Sequence, residues 1–509
     1  MFKRILIANR GEIAVRVIRA CRELGIEAVA VFSEADRGAL HVREADLAIP
    51  IGPAPAAESY LRIERVIEAA KQAGAEAVHP GYGFLAENAT FARAVTDAGL
   101  VFIGPSANAM EKMGDKVEAR KLMQAAGVPV TPGSPDTLET PEQVREYARK
   151  LGLPVLLKAA GGGGGKGMRL IEREEEIADA VRRVVSEATA SFGDGRFYLE
   201  KFVRRPRHIE VQIFADSDGR TVHLGERECS IQRRHQKLVE ESPSPFVTER
   251  MRERMGEIAV RAARAVNYVG AGTIEFLADA DRNFYFMEMN TRIQDEHPVT
   301  EMVTGFDLVK AQIEVAAGRP LPFTQEQIVQ RGWAIECRVY AEDPLHDFVA
   351  APGRVTLLRA PEGPGVRHDC GIYGGGEISS FYDALLSKLI VWGKDRPEAI
   401  ARMRRALGEF SVAGTLATNL SFHRWLMDNQ RFIEGDFDTH FLQQEYRPLD
   451  GSPASSADHS LDDPARLAAM LAAAWSAQYV SGAVGSADAT TPRKPSAWKM
   501  AGRIEALKS

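Results

Sequence analysis

The sequence predicts an α/β protein whose N-terminal part has a Rossmann-like shape. Three observations point there. Strand-like and helical segments alternate over residues 1 to about 114. A run of five glycines, 161–165, sits between two strand-like pieces. An aromatic-rich strand, Asn283-Phe-Tyr-Phe-Met-Glu288, runs into a polar stretch that ends at Pro298.

Taken in order, residues 3–8 read as a short apolar strand, and Gly11 opens a helix through Arg22. Residues 27–32, 75–79 and 100–103 read as further strands. Strands that alternate with helices argue for a parallel sheet. Asn9-Arg-Gly11 is not a full dinucleotide fingerprint. His79-Pro-Gly-Tyr-Gly-Phe84 is a loop at a strand end, where open α/β sheets bind ligands. Residues 108–126 read as one long helical segment carrying Gly114-Asp-Lys116.

Residues 153–158 and 168–171 read as two strands around the glycine run. Consecutive glycines cannot support a helix interior. Their freedom in φ and their lack of side chains let backbone N–H groups crowd around phosphate oxygens. Gly167 follows Lys166 where a P-loop requires a hydroxyl, so this is not that motif. A hairpin with a glycine tip, acting as a mobile flap, is the better reading.

Residues 197–203 form another strand-like run. Residues 208–214 alternate, which puts His208, Glu210 and Gln212 on one face. The basic run Arg233-Arg-His-Gln-Lys237 lies between strand-like pieces and reads as a cleft wall. Glu275 and Glu288 are candidate metal carboxylates. Period-two geometry sends Glu288 and Asn290 to one side of an extended backbone. Arg292, Gln294 and Glu296 follow at the same spacing, so a persistent strand would line one wall with five polar groups. Glu288 and Asn290 suit a hard cation such as Mg2+. The arginine, amide and carboxylate suit a small planar anion and its proton.

Length and composition set the class. The 509 residues suggest roughly three domains. Hydrophobic content of 45% and charged content of 26% are ordinary for a soluble enzyme. A net charge of -6 gives no basic footprint for nucleic acid. Cys21, Cys229, Cys337 and Cys370 are scattered without metal-ligand spacing and read as reduced thiols of a cytoplasmic protein. No apolar run is long enough to span a bilayer. A strand beginning near Lys3 leaves no room for a signal or transit peptide.

From Met1 to about Arg447 the chain resembles the biotin carboxylases of the ATP-grasp superfamily. The resemblance is carried by Ile7-Ala-Asn-Arg-Gly-Glu-Ile-Ala14, His79-Pro-Gly-Tyr-Gly-Phe-Leu-Ala-Glu-Asn88, residues 158–168, Arg233-Arg-His-Gln-Lys237 and the stretch 287–298. It implies an N-terminal α/β domain over 1–114 and an ATP-grasp domain over 115–329, with a glycine-rich lid at about 131–204. An α+β C-terminal biotin carboxylase domain over 330–447 follows. Residues 448–509 read as a flexible or lightly docked extension. Trp498-Lys499-Met500 lacks the first Met of a biotin-attachment sequence.

The resemblance also implies residue roles. Lys116 and Lys158 match phosphate-binding lysines, and Gly163, Gly164 and Gly165 belong to the lid. Glu200, Lys201 and Val203 match the hinge that meets adenine, with Met168 packed on the ring. His208, Gln232 and His235 match ribose- and phosphate-side contacts. Glu275, Glu288 and Asn290 match the ligands of Mg2+ or Mn2+. Lys237, Arg292, Gln294 and Asp295 match the bicarbonate site, and Glu296 the general base. Tyr82 and Arg338 match the biotin site, with Arg338 facing the ureido oxygen. The implied reaction is ATP-dependent carboxylation of biotin on a carrier protein, through carboxyphosphate. That is the first half-reaction of an acyl-CoA carboxylase, such as the acetyl-CoA carboxylase of fatty acid biosynthesis. The implied partners are a biotin carboxyl carrier protein, a second copy of the chain and a carboxyltransferase subunit.

Asp295 departs from the family, which usually has valine there. Strand alternation would turn its carboxylate away from Glu296. A carboxylate that faced the pocket would repel bicarbonate and couple to Glu296. Two other classes stay open at this level: a different ATP-grasp carboxylate ligase, and an impaired member that only binds nucleotide.

Overall fold

The computed structural model describes residues 1–161 and 167–447. Its N-terminal part is a five-stranded parallel sheet. The strand order is Leu47–Gly52, Glu27–Ser33, Arg4–Ile7, Ala77–His79, Val101–Phe102. Four of these strands were legible as apolar runs. The edge strand Leu47–Gly52 was not, because it contains Pro50 and is partly exposed. An edge position tolerates the missing N–H. The helix Gly11–Glu23 buries Ile13, Val17 and Ile18 in a core shared with Leu308, Val309 and Ile313 of the helix Leu308–Ala316.

The expected long helix at 108–126 is two helices, Ala107–Gly114 and Lys116–Ala125. Asp115 breaks it. Its carboxylate accepts the N–H groups of Val117 at 3.0 Å and Glu118 at 3.1 Å, which caps the second helix.

The lid strands behave as predicted on either side of the glycine run. Val155–Ala159 pairs antiparallel with Met168–Ile171 and with Phe197–Lys201. Helices Pro141–Leu151 and Ile177–Phe192 lie with this sheet, which has its own apolar core around Val144, Leu157, Val184 and Leu199. Gly163, Gly164, Gly165 and the extension from residue 448 fall outside the described residues.

The centre is an eight-stranded sheet. It runs Phe284–Asn290, Gly270–Ala278, Arg207–Ala215, Thr221–Arg233, Gln236–Ser242, Trp333–Tyr340, Leu385–Gly393, Val366–Cys370. The ladder crosses residue 330 without a break, because Val239 pairs with Cys337 and Glu240 with Glu336. The sheet is closely packed, and Arg207–Ala215 is buried along its whole length. The four cysteines are free and buried. Among the described residues no helix is long and apolar enough to cross a membrane.

Burying that strand buries its polar side chains, and Arg227 compensates for them. Its fully buried guanidinium donates to Glu210 at 2.5 Å, Gln212 at 2.6 Å, Gln294 at 2.9 Å, Thr300 at 3.0 Å and Thr273 at 3.1 Å. Three strands and the helix His297–Thr304 thus share one cation. A second clasp centres on Glu301. It accepts Arg16 at 3.0 Å, Arg367 at 2.7 Å and the Leu308 N–H at 2.7 Å. Burial opposes its ionisation, but Arg16 and Arg367 win and push its pKa down from 4.5 to about 2.

Two outcomes follow from these clasps. Arg227→Met leaves Glu210 buried without its guanidinium and should cost about 3–5 kcal/mol, read as a lowered thermal midpoint. Glu301, with its folded pKa depressed, gives stability that is present above its ordinary value and lost as pH falls toward about 2. The difference in denaturant midpoint between wild type and Glu301→Gln should therefore shrink as pH is lowered from about 5 to about 2. A constant difference over that range would remove Glu301 from the acid response.

Candidate active site

The polar stretch predicted to continue as a strand does not. The strand Phe284–Asn290 stops at Asn290, and residues 291–296 turn into the helix His297–Thr304. Glu288 and Asn290 do share a face, and Glu288 lies directly across from Glu275. Asn290 donates to Glu275 at 2.9 Å. The side chains after it are placed by the turn and by contacts from elsewhere in the chain.

Lys237 is the hub. The hairpin between Thr221–Arg233 and Gln236–Ser242 turns at Arg234 and His235, whose φ values are 48° and 69°. Positive φ at both positions fits a tight hairpin turn. Lys237 returns from it opposite Gln232. Its ammonium meets Glu296 at 2.5 Å, Glu210 at 2.6 Å and Glu275 at 3.0 Å. Burial disfavours the ammonium, but those three carboxylates raise its pKa well above the ordinary value. Arg233 and Arg234 point elsewhere and pair with Asp347 at 2.6 and 2.7 Å.

Glu296 lies between two cations. Besides Lys237, it accepts Arg338 at 2.8 Å. Burial would raise its pKa, but Lys237, Arg338 and Arg227 hold it well below the ordinary value. Glu210 is pushed the other way, first by burial and then by its neighbours Glu296 and Glu275, in spite of Arg227 and Lys237. The carboxylate placed to accept a proton is thus ionised.

A second cluster gathers the other cations. Lys116 lies 3.3 Å from Glu288, and Lys158 lies 2.5 Å from Glu200. Arg120 meets the other oxygen of Glu200 at 2.8 Å. His208 touches Glu275 at 2.9 Å. Burial lowers the pKa of His235, and the fields of His208, His440, Lys158 and Lys116 lower it further. A wall of like charge suits a polyanion. Met168 is the cross-strand partner of Lys158. Lys201 donates to the Gly152 carbonyl at 2.5 Å, and Val203 is half-buried just beyond that strand. Glu275 and Glu288, paired across adjacent strands, offer hard oxygen donors of the kind Mg2+ takes, while Asn290 turns its NH2 to Glu275 and its oxygen to Arg292 at 3.3 Å.

Asp295 sits in the turn, so strand alternation does not govern it. It does not turn away. Its Oδ2 accepts Arg338 Nη1 at 2.5 Å, so Asp295 and Glu296 hold the same guanidinium. Glu240 adds an ion pair to it at 2.6 Å. Burial would raise the pKa of Asp295, but Arg338 and Lys388 lower it.

Several contact residues were not singled out from the sequence. Glu87 accepts Arg292 Nε and the Thr291 N–H, each at 2.9 Å, and ties the turn to the N-terminal part. Lys388, fully buried, donates to the Asp295 carbonyl at 2.5 Å and lies 3.1 Å from Glu12. The Tyr82 hydroxyl donates to Glu12. Glu87 and Glu12 stand within the sequence motifs at 79–88 and 7–14, which was the available signal. Lys388 lies on an apolar strand and gave none.

Family models match most of the chain. "Biotin carboxylase, N-terminal domain" matches residues 1–110. "Carbamoyl-phosphate synthase L chain, ATP binding domain" matches residues 115–324. "Biotin carboxylase C-terminal domain" matches residues 336–444. The chain is 54% identical over 443 residues to a biotin carboxylase of Nostoc sp., covering 87% of this chain and 99% of that one. A biotin carboxylase from Campylobacter jejuni, solved as a complex with β,γ-ATP, superposes with a TM-score of 0.85 at 48% identity, over 87% of this chain and 99% of that one. The biotin carboxylase domain dimer of the Hydrogenobacter thermophilus 2-oxoglutarate carboxylase, solved with MgADP, ADP and bicarbonate, gives 0.84 at 47% identity, over 87% and 97%.

Proposed function

The chain belongs to the biotin carboxylase family, and from that premise we propose how its residues carry out the reaction. The activity is ATP-dependent carboxylation of biotin. The observation that carries the residue reading is the position of Glu296 between Lys237 and Arg338. One cation fits bicarbonate and the other fits the biotin ureido oxygen, so a single carboxylate borders both substrates.

Bicarbonate is a poor electrophile and has to be activated. Lys237, Arg292 and Gln294 hold it, and Glu296 removes its proton. The bicarbonate oxygen then attacks the γ-phosphate of ATP, releasing ADP and forming carboxyphosphate. As bicarbonate claims the Lys237 ammonium, the hold on Glu296 weakens and the carboxylate becomes a stronger base. Lys116, Lys158, His208 and His235 face the nucleotide phosphates. Glu200, Lys201, Val203 and Met168 meet the adenine and Gln232 the ribose side. Glu275, Glu288 and Asn290 would hold Mg2+, which offsets charge on the transferring phosphoryl group. Carboxyphosphate breaks down to CO2 and phosphate, the phosphate takes the N1 proton of biotin, and N1 bonds to CO2 while Arg338 stabilises the ureido oxygen. Tyr82 borders the same site.

The three parts 1–114, 115–329 and 330–447 act together in this reading, since a turn of the second meets side chains of the other two. Biotin arrives on a carrier protein, and a carboxyltransferase uses the carboxylated product. A homodimer is the assembly we propose, in line with the dimer named for the Hydrogenobacter domain.

Removing the ureido-facing charge is the direct test. Arg338→Ala should abolish biotin-stimulated, bicarbonate-dependent ATP turnover and keep MgATP binding by calorimetry. A large loss of ATP affinity would place Arg338 with the nucleotide instead. Glu288→Ala should collapse Mg2+-dependent ATP turnover by about a hundredfold or more. Unchanged turnover would sink the metal assignment.

A further inference from the structure

Arg338 carries more anionic contacts than its charge requires. Glu296 and Glu240 already neutralise it, and Asp295 is a third carboxylate on the same group. Asp295 Oδ1 also lies 3.2 Å from Lys388, which has Glu12 at 3.1 Å and donates to the Asp295 main-chain carbonyl. Balancing these two cations accounts for the charge of Asp295 but not for the hydrogen bonds its side chain leaves unmade.

Arg338 Nε and Asp295 Oδ1 lack hydrogen-bond partners, as do both carboxylate oxygens of Glu240. Arg338 Nε is a buried donor with no acceptor. Asp295 Oδ1 is a buried acceptor that receives no hydrogen bond, although Lys388 Nζ lies 3.2 Å away. Their residues are only 7% and 9% exposed, so both atoms are shielded from bulk water. A buried polar atom without a partner is costly, and a group that brings an acceptor to Arg338 and a donor to Asp295 would relieve both. A cyclic urea has both on one edge: a carbonyl oxygen flanked by N–H groups.

We propose that the Asp295 carboxylate accepts a hydrogen bond from an N–H of the ureido ring whose oxygen faces Arg338. This rests on the assignment of Arg338 to biotin. Asp295 then binds and orients the ring beside the guanidinium. The two groups grip the urea from its donor and acceptor sides, which apolar contact at residue 295 could not do. The role is hydrogen-bond acceptance, and the N–H proton stays on nitrogen in this contact.

The test compares wild type, Asp295→Val and Asp295→Asn with free biotin at saturating MgATP and bicarbonate. Asp295→Val should raise the KM for biotin about tenfold relative to the KM for ATP, the loss of one charge-assisted hydrogen bond. Asp295→Asn keeps the shape and an oxygen acceptor without the charge, and should raise it about threefold. A second measurement uses two inhibitors, 2-imidazolidinone and its N,N'-dimethyl form. Wild type should prefer the unmethylated urea, and that preference should fall about tenfold in Asp295→Val. An unchanged or lower biotin KM in either variant, or an undiminished preference for the N–H urea, would overturn the proposal. If Asp295→Val does not fold, the Asn variant alone decides. Arg338→Ala separates the underlying reading: biotin-stimulated turnover that survives it refutes the ureido assignment, whatever the Asp295 variants do.

Discussion

A buried ammonium shared by three carboxylates is the constraint on which the centre of this protein depends. Lys237 reaches Glu210, Glu275 and Glu296 within 3.0 Å. Without it those acids could not all be ionised in one closed space. Arg227 performs the same service one layer deeper, against Glu210 and four neutral acceptors or hydroxyls. The acids held by Lys237 come from two strands not adjacent to its own and from a turn, so this one cation ties together segments that no ladder joins directly to its own strand. With Arg338 and Arg227 it also keeps Glu296 ionised.

The site is assembled from three regions of the described chain through charged contacts. Glu87 and Glu12 come from the N-terminal region, Lys237 and the 291–296 turn from the middle, and Arg338 and Lys388 from beyond residue 330. Glu301 clasps the same three regions through Arg16 and Arg367. Arg338 and Lys388 are directly paired across adjacent strands, so two like charges stand side by side. Such a pair is stable when anions face both, and the turn supplies them through Asp295 and Glu296. The turn at 291–296 is therefore held by the same contacts that close the fold.

Much of the architecture was legible in the sequence. The parallel N-terminal sheet followed from apolar runs alternating with helices. The lid hairpin followed from two strands flanking the glycines. Glu288 with Asn290, and His208 with Glu210 and Gln212, followed from the period of a strand, and the structure places each set on one face. The motifs at 7–14, 79–88 and 233–237 pointed to the family before any contact was known. These features are local: they depend on side-chain chemistry and on spacings of two to four residues, which a chain carries wherever it is placed.

Tertiary structure decided the rest. The strand at 284–290 could have continued through residue 296, and nothing local says that it stops. It stops because the Thr291 N–H and Arg292 are claimed by Glu87, some two hundred residues earlier in the chain. That one break sends Asp295 toward Arg338 when strand alternation would have turned it aside. Lys388 on an apolar strand, Glu240 opposite Glu336, and the ladder that joins 236–242 to 333–340 were equally invisible. A buried charge is chosen by its partner, and a partner distant in sequence leaves no periodic trace. The sequence by itself determined the elements, the family and the residue types at the site. The fold determined which acid meets which base, because that depends on through-space distance and on the exclusion of water.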